Sequence, residues 1–121
     1  MLARRATPMY LVSDLEEARS NYEALGFEPK PTNDVGCLGV IAGSTSVILV
    51  DREYAERTLP ERAVALLQDK PALYIWVESL DAMRMELQAT FLGEANMAGL
   101  REWAVEGPTG LVVLAETSRA H

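Results

Sequence analysis

The sequence carries a weak internal repeat with a period of 65 residues, and this repeat constrains the fold more than any other feature. A displacement of 65 residues places Val12 on Val77 and Leu15 on Leu80. Three later pairs match in the same way: Val47 with Val112, Leu49 with Leu114, and Asp51 with Glu116. Identity between the halves is low, but the hydrophobic pattern and the order of predicted elements agree. The repeat therefore indicates one structural module that is used twice.

The first half predicts a strand, a helix and three more strands. Residues 7–12 form an apolar stretch typical of a strand, and Ser13 with Glu16 forms a capping box that predicts the start of a helix. Gly26 stands where such a helix would end in the left-handed conformation. The predicted strands that follow are residues 27–32, which we expect at a sheet edge because of their two prolines, 37–41 and 46–50.

The second half repeats this order. Residues 72–77 predict a strand, Ser79 a helix cap, and Gly93 the end of the helix. The apolar face of that helix is predicted to consist of Leu80, Met83, Leu87 and Phe91. The remaining predicted elements are a strand at residues 101–105, a turn at 107–110 and a strand at 111–115.

The two halves are joined by residues 51–71, which read as a linker. Pro60 and the apolar run after it predict a short helix there, with the proline in its first turn. The chain has 121 residues, the length of one domain, and its 49% hydrophobic content is ordinary for a globular core. We therefore expect a single domain that contains both halves and the linker.

Charge and cysteine content narrow the possible partners. Eleven basic and eighteen acidic residues give a net charge of −7, which disfavours nucleic acid and favours a cationic ligand. Cys37 is the only cysteine, so an intrachain disulfide is excluded and a reducing, cytoplasmic location is expected. No apolar run approaches the roughly 20 residues that a membrane-spanning helix needs, so we expect no membrane partner.

Several short motifs are similar to those of the vicinal oxygen chelate superfamily, which includes glyoxalases, extradiol dioxygenases and bleomycin-resistance proteins. They are the stretch TPMYLVSDL at residues 7–15, the run NYEALGFE at 21–28, the strand YIWV at 74–77 and the run GLREWAV at 99–105. The last run is similar to a strand of the bleomycin-resistance-like branch. The resemblance implies an α+β fold in which two βαβββ modules form a curled mixed-sheet half-barrel with helices outside.

The same resemblance sets the expected boundaries and assembly. Module one is expected to span about residues 6–50, the linker residues 51–71, and module two about residues 72–117. Superfamily members are commonly homodimers whose pockets are often shaped by both subunits. A homodimer is therefore expected here.

In metal-dependent relatives, four inward-facing positions supply histidine or glutamate ligands. The resemblance places these positions at Thr7, Leu49, Ala72 and Leu114. A neutral threonine hydroxyl is a poor sole ligand for zinc, iron or manganese, and the other three side chains carry no donor atom. The only histidine, His121, is the last residue. We therefore predict no metal and no other cofactor.

Strand alternation extends the inward-facing set along each strand, because residues two apart point to the same face. The predicted ligand-binding residues are Met9, Leu49, Asp51, Tyr74, Trp76, Leu114 and Glu116, with Leu11, Val47 and Val112 on the same face. An aromatic surface with carboxylates at its rim suits a planar, partly cationic molecule. Each residue also has a plainer explanation, since aromatic rings can fill a collapsed half-barrel and carboxylates at strand ends are usually solvated. Trp103 has the opposite parity and is expected to pack against the helices.

Three functions remain open at this point. The leading one is a metal-free small-molecule binder, in the manner of antibiotic sequestration, for a hydrophobic or cationic compound such as a small-molecule drug. The alternative is a divergent lyase or dioxygenase-like enzyme that uses Glu102, Glu106 and Glu116 for acid–base chemistry or as an atypical metal site. The third is an accessory protein whose pocket has been filled in. An open space between Tyr74, Trp76, Leu49 and Leu114 would favour the first.

Overall fold

A computed structural model describes residues 3–32, 35–86, 89–95 and 101–116 of the chain. The elements of the first half are β1 (Ala3–Val12), α1 (Leu15–Ala24), β2 (Glu28–Pro31), β3 (Cys37–Ala42) and β4 (Thr45–Asp51). Two helices follow, α2 (Arg52–Thr58) and α3 (Glu61–Asp69). The elements of the second half are β5 (Ala72–Val77), α4 (Leu80–Glu86), β6 (Thr90–Ala95), β7 (Glu102–Gly107) and β8 (Gly110–Glu116).

All eight strands belong to one sheet with the order β2-β3-β4-β1-β5-β8-β7-β6. In each half the first strand runs parallel to the last, β1 to β4 and β5 to β8, and the other neighbours within the half are antiparallel. The halves join in the middle, where β1 pairs with β5 in antiparallel fashion. The sheet is curled but not closed. The predicted α+β class and the two βαβββ modules are therefore confirmed, as is the edge position of β2.

The outer face of the sheet is the face covered by α1 and α4. Under α1 lies a cluster formed by Leu38, Val40, Val47 and Leu49 of the sheet, against which Leu15, Ala18 and Tyr22 of the helix pack. Under α4 lies a second cluster, in which Leu80 of the helix is buried together with Val77, Trp103, Val105 and Leu114. The position predicted for Trp103, against the helical side of the sheet, is confirmed.

The inner face of the sheet, which carries Met9, Tyr74 and Val113, is covered by the linker helices. Six apolar side chains of the linker are buried in the same cluster as this face, namely Tyr54, Ala55, Leu59, Ala63, Val64 and Leu67. Gly36 permits this packing, because a β-carbon there would lie 2.0 Å from Cγ of Tyr54. The segment predicted as a linker with one short helix thus holds two helices, and they fill much of the space that a half-barrel encloses.

Some predicted details of α1 and α4 are wrong. The N-cap of α1 is Asp14, whose carboxylate accepts from the backbone N–H of Glu17 at 3.1 Å, because the helix starts at Leu15, one residue later than the Ser13 capping box requires. The apolar face predicted for α4 extended to Phe91, but Phe91 belongs to β6.

The reason for the second error lies in tertiary contacts that local periodicity cannot show. Phe91 packs edge-on against the ring of Trp103, with centroids 5.7 Å apart. Gly93 does not end a helix; it lies inside β6 with φ of 149°, where a β-carbon would lie 2.8 Å from Cγ of Pro60. Leu87, assigned to the same helical face, lies outside the described residues. None of the helices within the described ranges is long and apolar enough to cross a membrane.

If α3 forms part of the core, shortening a buried side chain on it should destabilise the whole domain. Leu67 is 3% exposed in the inner cluster, and Leu67→Ala should lower the free energy of unfolding by about 2–5 kcal/mol. Leu25, 74% exposed after α1, supplies the matched control, and Leu25→Ala should cost less than about 0.5 kcal/mol. Urea unfolding followed by circular dichroism measures both. Equal, small effects would show that α3 does not pack on the sheet.

Candidate functional site

The pairing of β1 with β5 brings four notable side chains to one end of the inner face. Thr7 lies opposite Tyr74 and Arg5 lies opposite Trp76 in the antiparallel ladder. Because Tyr74 and Trp76 are two residues apart on β5, both rings point to the same face. Glu102 of β7 completes the group, which we call the aromatic site: Arg5, Thr7, Tyr74, Trp76 and Glu102.

The two aromatic rings differ in their exposure. Tyr74 is 4% exposed and belongs to the inner cluster, whereas Trp76 is only half-buried at the edge of that cluster. Their ring centroids lie 4.7 Å apart with an angle of 59° between the planes. Contact at this separation is favourable and holds the Trp76 ring in place while part of it stays open to solvent.

Glu102 is a buried carboxylate inside this group. It is 1% exposed, and its neighbours across the sheet are Ala115 and Ala95, which leave room beside its side chain. The Tyr74 hydroxyl donates a hydrogen bond to Oε2 of Glu102. A buried charge is costly unless it is hydrogen-bonded, so the Tyr74 hydroxyl is one of the groups that keep the carboxylate in the protein interior. Thr7, 3% exposed, is the other buried polar residue of the site.

Arg5 lies over the exposed part of the site. Its guanidinium carbon is 4.2 Å from the centroid of the Trp76 ring, within the range of a cation–π interaction. Arg5 was not among the predicted site residues, because the apolar stretch that predicts β1 begins only at Thr7, whereas the strand begins at Ala3. The alternation that placed Trp76 inward would have identified Arg5 had the strand been extended.

The structure brings some of the predicted ligand-binding residues together and separates others. Met9, Tyr74 and Trp76 share the inner face, with Leu11 packed at its edge. Leu49 and Leu114 do not, because they lie under α1 and α4 on the outer face, and the same holds for the neighbours Val47 and Val112. The prediction that these four residues point inward is therefore wrong.

The physical reason is the register of the parallel strands. Met9 is aligned with Ile48 and Leu11 with Val50, so it is Ile48 and Val50 that share the inner face with β1. In the second half, Tyr74 is aligned with Val113 in the same way. The predicted alignments of β4 and β8 are wrong by one residue, and a shift of one residue moves every side chain of a strand to the other face.

Asp51 and Glu116, predicted as carboxylates at the rim of a cavity, both accept hydrogen bonds from helix N-termini. Oδ2 of Asp51 accepts from the backbone N–H of Tyr54 at 3.3 Å, which makes Asp51 the N-cap of α2. Oε2 of Glu116 accepts from the backbone N–H of Leu80 at 3.0 Å, at the start of α4, and lies 3.8 Å from Nη1 of Arg101. Arg101 also donates a hydrogen bond to Asp81, and this bond, together with the negative charges of Asp81, Glu116 and Glu94, raises the pKa of Arg101. The repeat thus places an acidic acceptor at the end of β4 and of β8. The first accepts a hydrogen bond from the N-terminus of α2, and the second accepts one from the N-terminus of α4.

The residues present do not fit a divalent metal at the four positions that the sequence resemblance implies. Leu49, Ala72 and Leu114 carry no donor atom, Thr7 offers only a neutral hydroxyl, and two of the four point to the opposite face. The three glutamates considered as alternative ligands are also apart. Glu102 points to Tyr74, the Glu106 carboxylate pairs with Arg62 of α3 at 3.2 Å, and Glu116 lies beside α4. Within the described ranges, no group of three or more histidine, cysteine, aspartate or glutamate side chains could hold a metal ion.

Two surface grooves lie away from the aromatic site. One, of about 440 Å³, runs along α2 and α3 and is lined by Glu56, Leu59, Glu61, Val64, Ala65 and Gln68. The other, of about 270 Å³, lies between α1 and the β2–β3 region and includes Arg19 and Cys37. Neither groove contains an aromatic side chain, so neither offers the stacking surface that Trp76 provides.

Comparison with known proteins identifies the fold. No protein-family model matches the sequence, and no curated protein matches it. A glyoxalase/bleomycin resistance protein/dioxygenase superfamily member from Vibrio splendidus 12B01 is 15% identical with a TM-score of 0.58, over 93% of this chain and 98% of that one. A hypothetical protein from Bacillus halodurans C-125 is 14% identical with a TM-score of 0.68, over 98% and 97%. An uncharacterized protein from Methanosarcina mazei is 18% identical with a TM-score of 0.57, over 100% and 98%.

At these identities the likeness concerns the fold alone. The chain has the fold of the glyoxalase, bleomycin-resistance and dioxygenase proteins, as its motifs indicated. Activity within this fold depends on the site and not on the sheet, because one fold serves many chemistries.

The hydrogen bond between Tyr74 and Glu102 should make the two residues energetically coupled. Tyr74→Phe removes a donor from a buried carboxylate and should lower the free energy of unfolding by about 1–3 kcal/mol. In a double-mutant cycle with Glu102→Leu, which removes the acceptor at similar volume, the coupling energy should be about 0.5–3 kcal/mol. Chemical unfolding of the wild type, both single variants and the double variant measures it. Strict additivity of the two changes would contradict the contact.

If Asp51 acts as the cap of α2, the acceptor oxygen matters more than the charge. Asp51→Ala should lower the free energy of unfolding by about 0.5–2 kcal/mol, whereas Asp51→Asn keeps a capping oxygen and should stay within about 0.5 kcal/mol of wild type. Urea unfolding distinguishes the two. An asparagine variant as unstable as the alanine variant would show that charge, and not capping, gives Asp51 its role.

Proposed function

We propose that the protein binds a small, planar organic cation at the aromatic site and carries out no chemistry on it. The observation that carries this proposal is the half-buried Trp76 ring, held against Tyr74 beside the buried carboxylate of Glu102. A ring that an aromatic neighbour fixes, and that is covered on its solvent side by the exposed Arg5 side chain, offers a stacking surface to a flat ligand that displaces this side chain. Small-molecule sites of this kind are largely apolar with a few placed polar groups.

The charges of the chain favour a cation. The faces of aromatic rings are negative, and the ring of Trp76 already has a guanidinium over it. Glu102 adds a carboxylate close to the Tyr74 side of the site. The net charge of −7 gives the surroundings a negative potential that concentrates cations near the protein.

Binding without reaction is favoured over enzymatic chemistry, because the described side chains near the site do not form a metal centre or a set of cooperating carboxylates. The metal-dependent activities of this fold use a bound ion to polarise substrate oxygens, and the side chains at the corresponding positions here do not fit such an ion. The divergent-enzyme alternative required Glu102, Glu106 and Glu116 to act together, and the structure separates these three carboxylates.

The linker helices limit the size of the ligand. They occupy the inner face around Met9, Val50, Ala72 and Val113, so free surface remains at the Trp76 end. Antibiotic sequestration is the form of binding that the sequence resemblance implies, and the site suits a small planar drug. A glycopeptide as large as bleomycin would have to displace α2 and α3.

The same filling of the inner face supports a second candidate. A protein whose linker packs into the half-barrel could have lost ligand binding and serve as an accessory to another protein. The two candidates differ in one measurable property, since only the first requires Trp76 to contact a small molecule.

The two tryptophans of the chain lie on opposite faces of the sheet, which provides a direct binding test. In Trp103→Phe, the remaining Trp76 fluorescence should change when N-methylquinolinium is added, because the planar cation stacks on that ring. In Trp76→Phe, the remaining Trp103 should report no change. Calorimetry should show binding about 5- to 30-fold weaker in Trp76→Leu than in wild type.

A wider panel of compounds distinguishes the ligand-binding candidate from the accessory candidate. It includes bleomycin and other cationic drugs, with neutral quinoline as the matched control for charge. Calorimetric silence toward every compound, together with unchanged Trp76 emission, would favour the accessory candidate. The homodimer stays a prediction, and light scattering in solution tests it.

A further inference from the structure

We infer that the Arg5 side chain is a removable cover on the ring of Trp76. Arg5 competes with the cationic ligand for this ring and thereby sets the affinity of the site. This inference rests on the proposed function. Arg5 and Trp76 are direct partners across the β1–β5 ladder, and the guanidinium carbon lies 4.2 Å from the ring centroid. The guanidinium therefore occupies the ring surface on which a planar cation would stack.

The two consecutive arginines of β1 are held differently. Nη1 of Arg4 forms an ion pair with Oε1 of Glu78 at 2.9 Å. The register of the ladder shifts between Ala3 and Arg5, so β1 carries one extra residue at this point. Such a bulge changes the direction in which the neighbouring side chains point. Within the described ranges, Arg5 forms no ion pair with a carboxylate.

A cover of this kind is weakly held and can move. Arg5 is exposed, and a cation–π contact at an exposed site is modest, so the side chain samples positions away from the ring. Side chains at a protein surface exchange rotamers on the picosecond-to-nanosecond timescale, far faster than ligands dissociate. The ring is thus covered for part of the time and free for the rest.

The ligand and Arg5 exclude each other for two reasons. A guanidinium stacked 4.2 Å above the ring leaves no room for a second planar group on the same surface. A cationic ligand is also repelled by the positive charge beside it. Because the ligand binds only the uncovered ring, its apparent affinity is the intrinsic affinity reduced by the fraction of the time that Arg5 is away.

The experiment compares two variants with the same change in charge. Arg5→Gln removes the cover, and Arg4→Gln removes the neighbouring charge, whose partner is Glu78. Calorimetric titration uses N-methylquinolinium as the probe, with 2-naphthoate as an anion of similar size. Arg5→Gln should bind N-methylquinolinium about two- to fivefold more tightly than Arg4→Gln does. Its affinity for 2-naphthoate should not rise.

Each outcome decides the inference. Equal affinity of the two variants for N-methylquinolinium would overturn it and leave the proposed function intact, because the charge alone would explain any gain over wild type. Weaker binding of N-methylquinolinium by Arg5→Gln than by Arg4→Gln would also overturn the inference and would make Arg5 a ligand contact. Tighter binding of 2-naphthoate than of N-methylquinolinium by the wild type would support the same conclusion. A failure of wild type and Arg5→Gln to bind any probe would overturn the proposed function, and the inference with it. Circular dichroism melting confirms that both variants are folded.

Discussion

The antiparallel pairing of β1 with β5 is the contact on which the rest of the molecule depends. It joins the two repeated modules into a single sheet and sets Thr7 opposite Tyr74 and Arg5 opposite Trp76. None of these pairs lies within one module, so the aromatic site exists only because the modules meet at this register. The linker helices then pack over the same junction, and their burial against β1, β7 and β8 ties the site to the core.

The sequence predicted that one module is used twice, because the repeat keeps its hydrophobic pattern and element order when identity is lost, and the resemblance to a known family implied the curled mixed sheet. It predicted β1, α1, β3, β4, β5 and β8 to within a few residues, together with the outward position of Trp103. The sequence did not predict which residues of β4 and β8 share the inner face with the parallel strands β1 and β5. The inward partners of β1 are Ile48 and Val50, and no local feature of β4 distinguishes that register from its neighbour.

The contribution of the linker could not be predicted for a related reason. The spacing of Ala63, Val64 and Leu67 predicts a helix with an apolar side, but it does not say which surface that side will cover. Only the structure shows that α2 and α3 lie on the inner face of the sheet. The candidate site was therefore half predictable: Tyr74 and Trp76 followed from alternation, whereas Asp51 and Glu116 proved to be helix acceptors and Arg5 was not considered.

The prolines of β2 have a consequence for how copies of this chain can associate. Pro29 and Pro31 lack the N–H group through which an edge strand recruits another strand, so this border of the sheet is closed to extension by backbone pairing. The opposite border, β6, contains no proline and carries the half-exposed ring of Phe91. Growth of the sheet beyond a single chain is thereby confined to one side, which permits at most a closed pair and works against open-ended fibres.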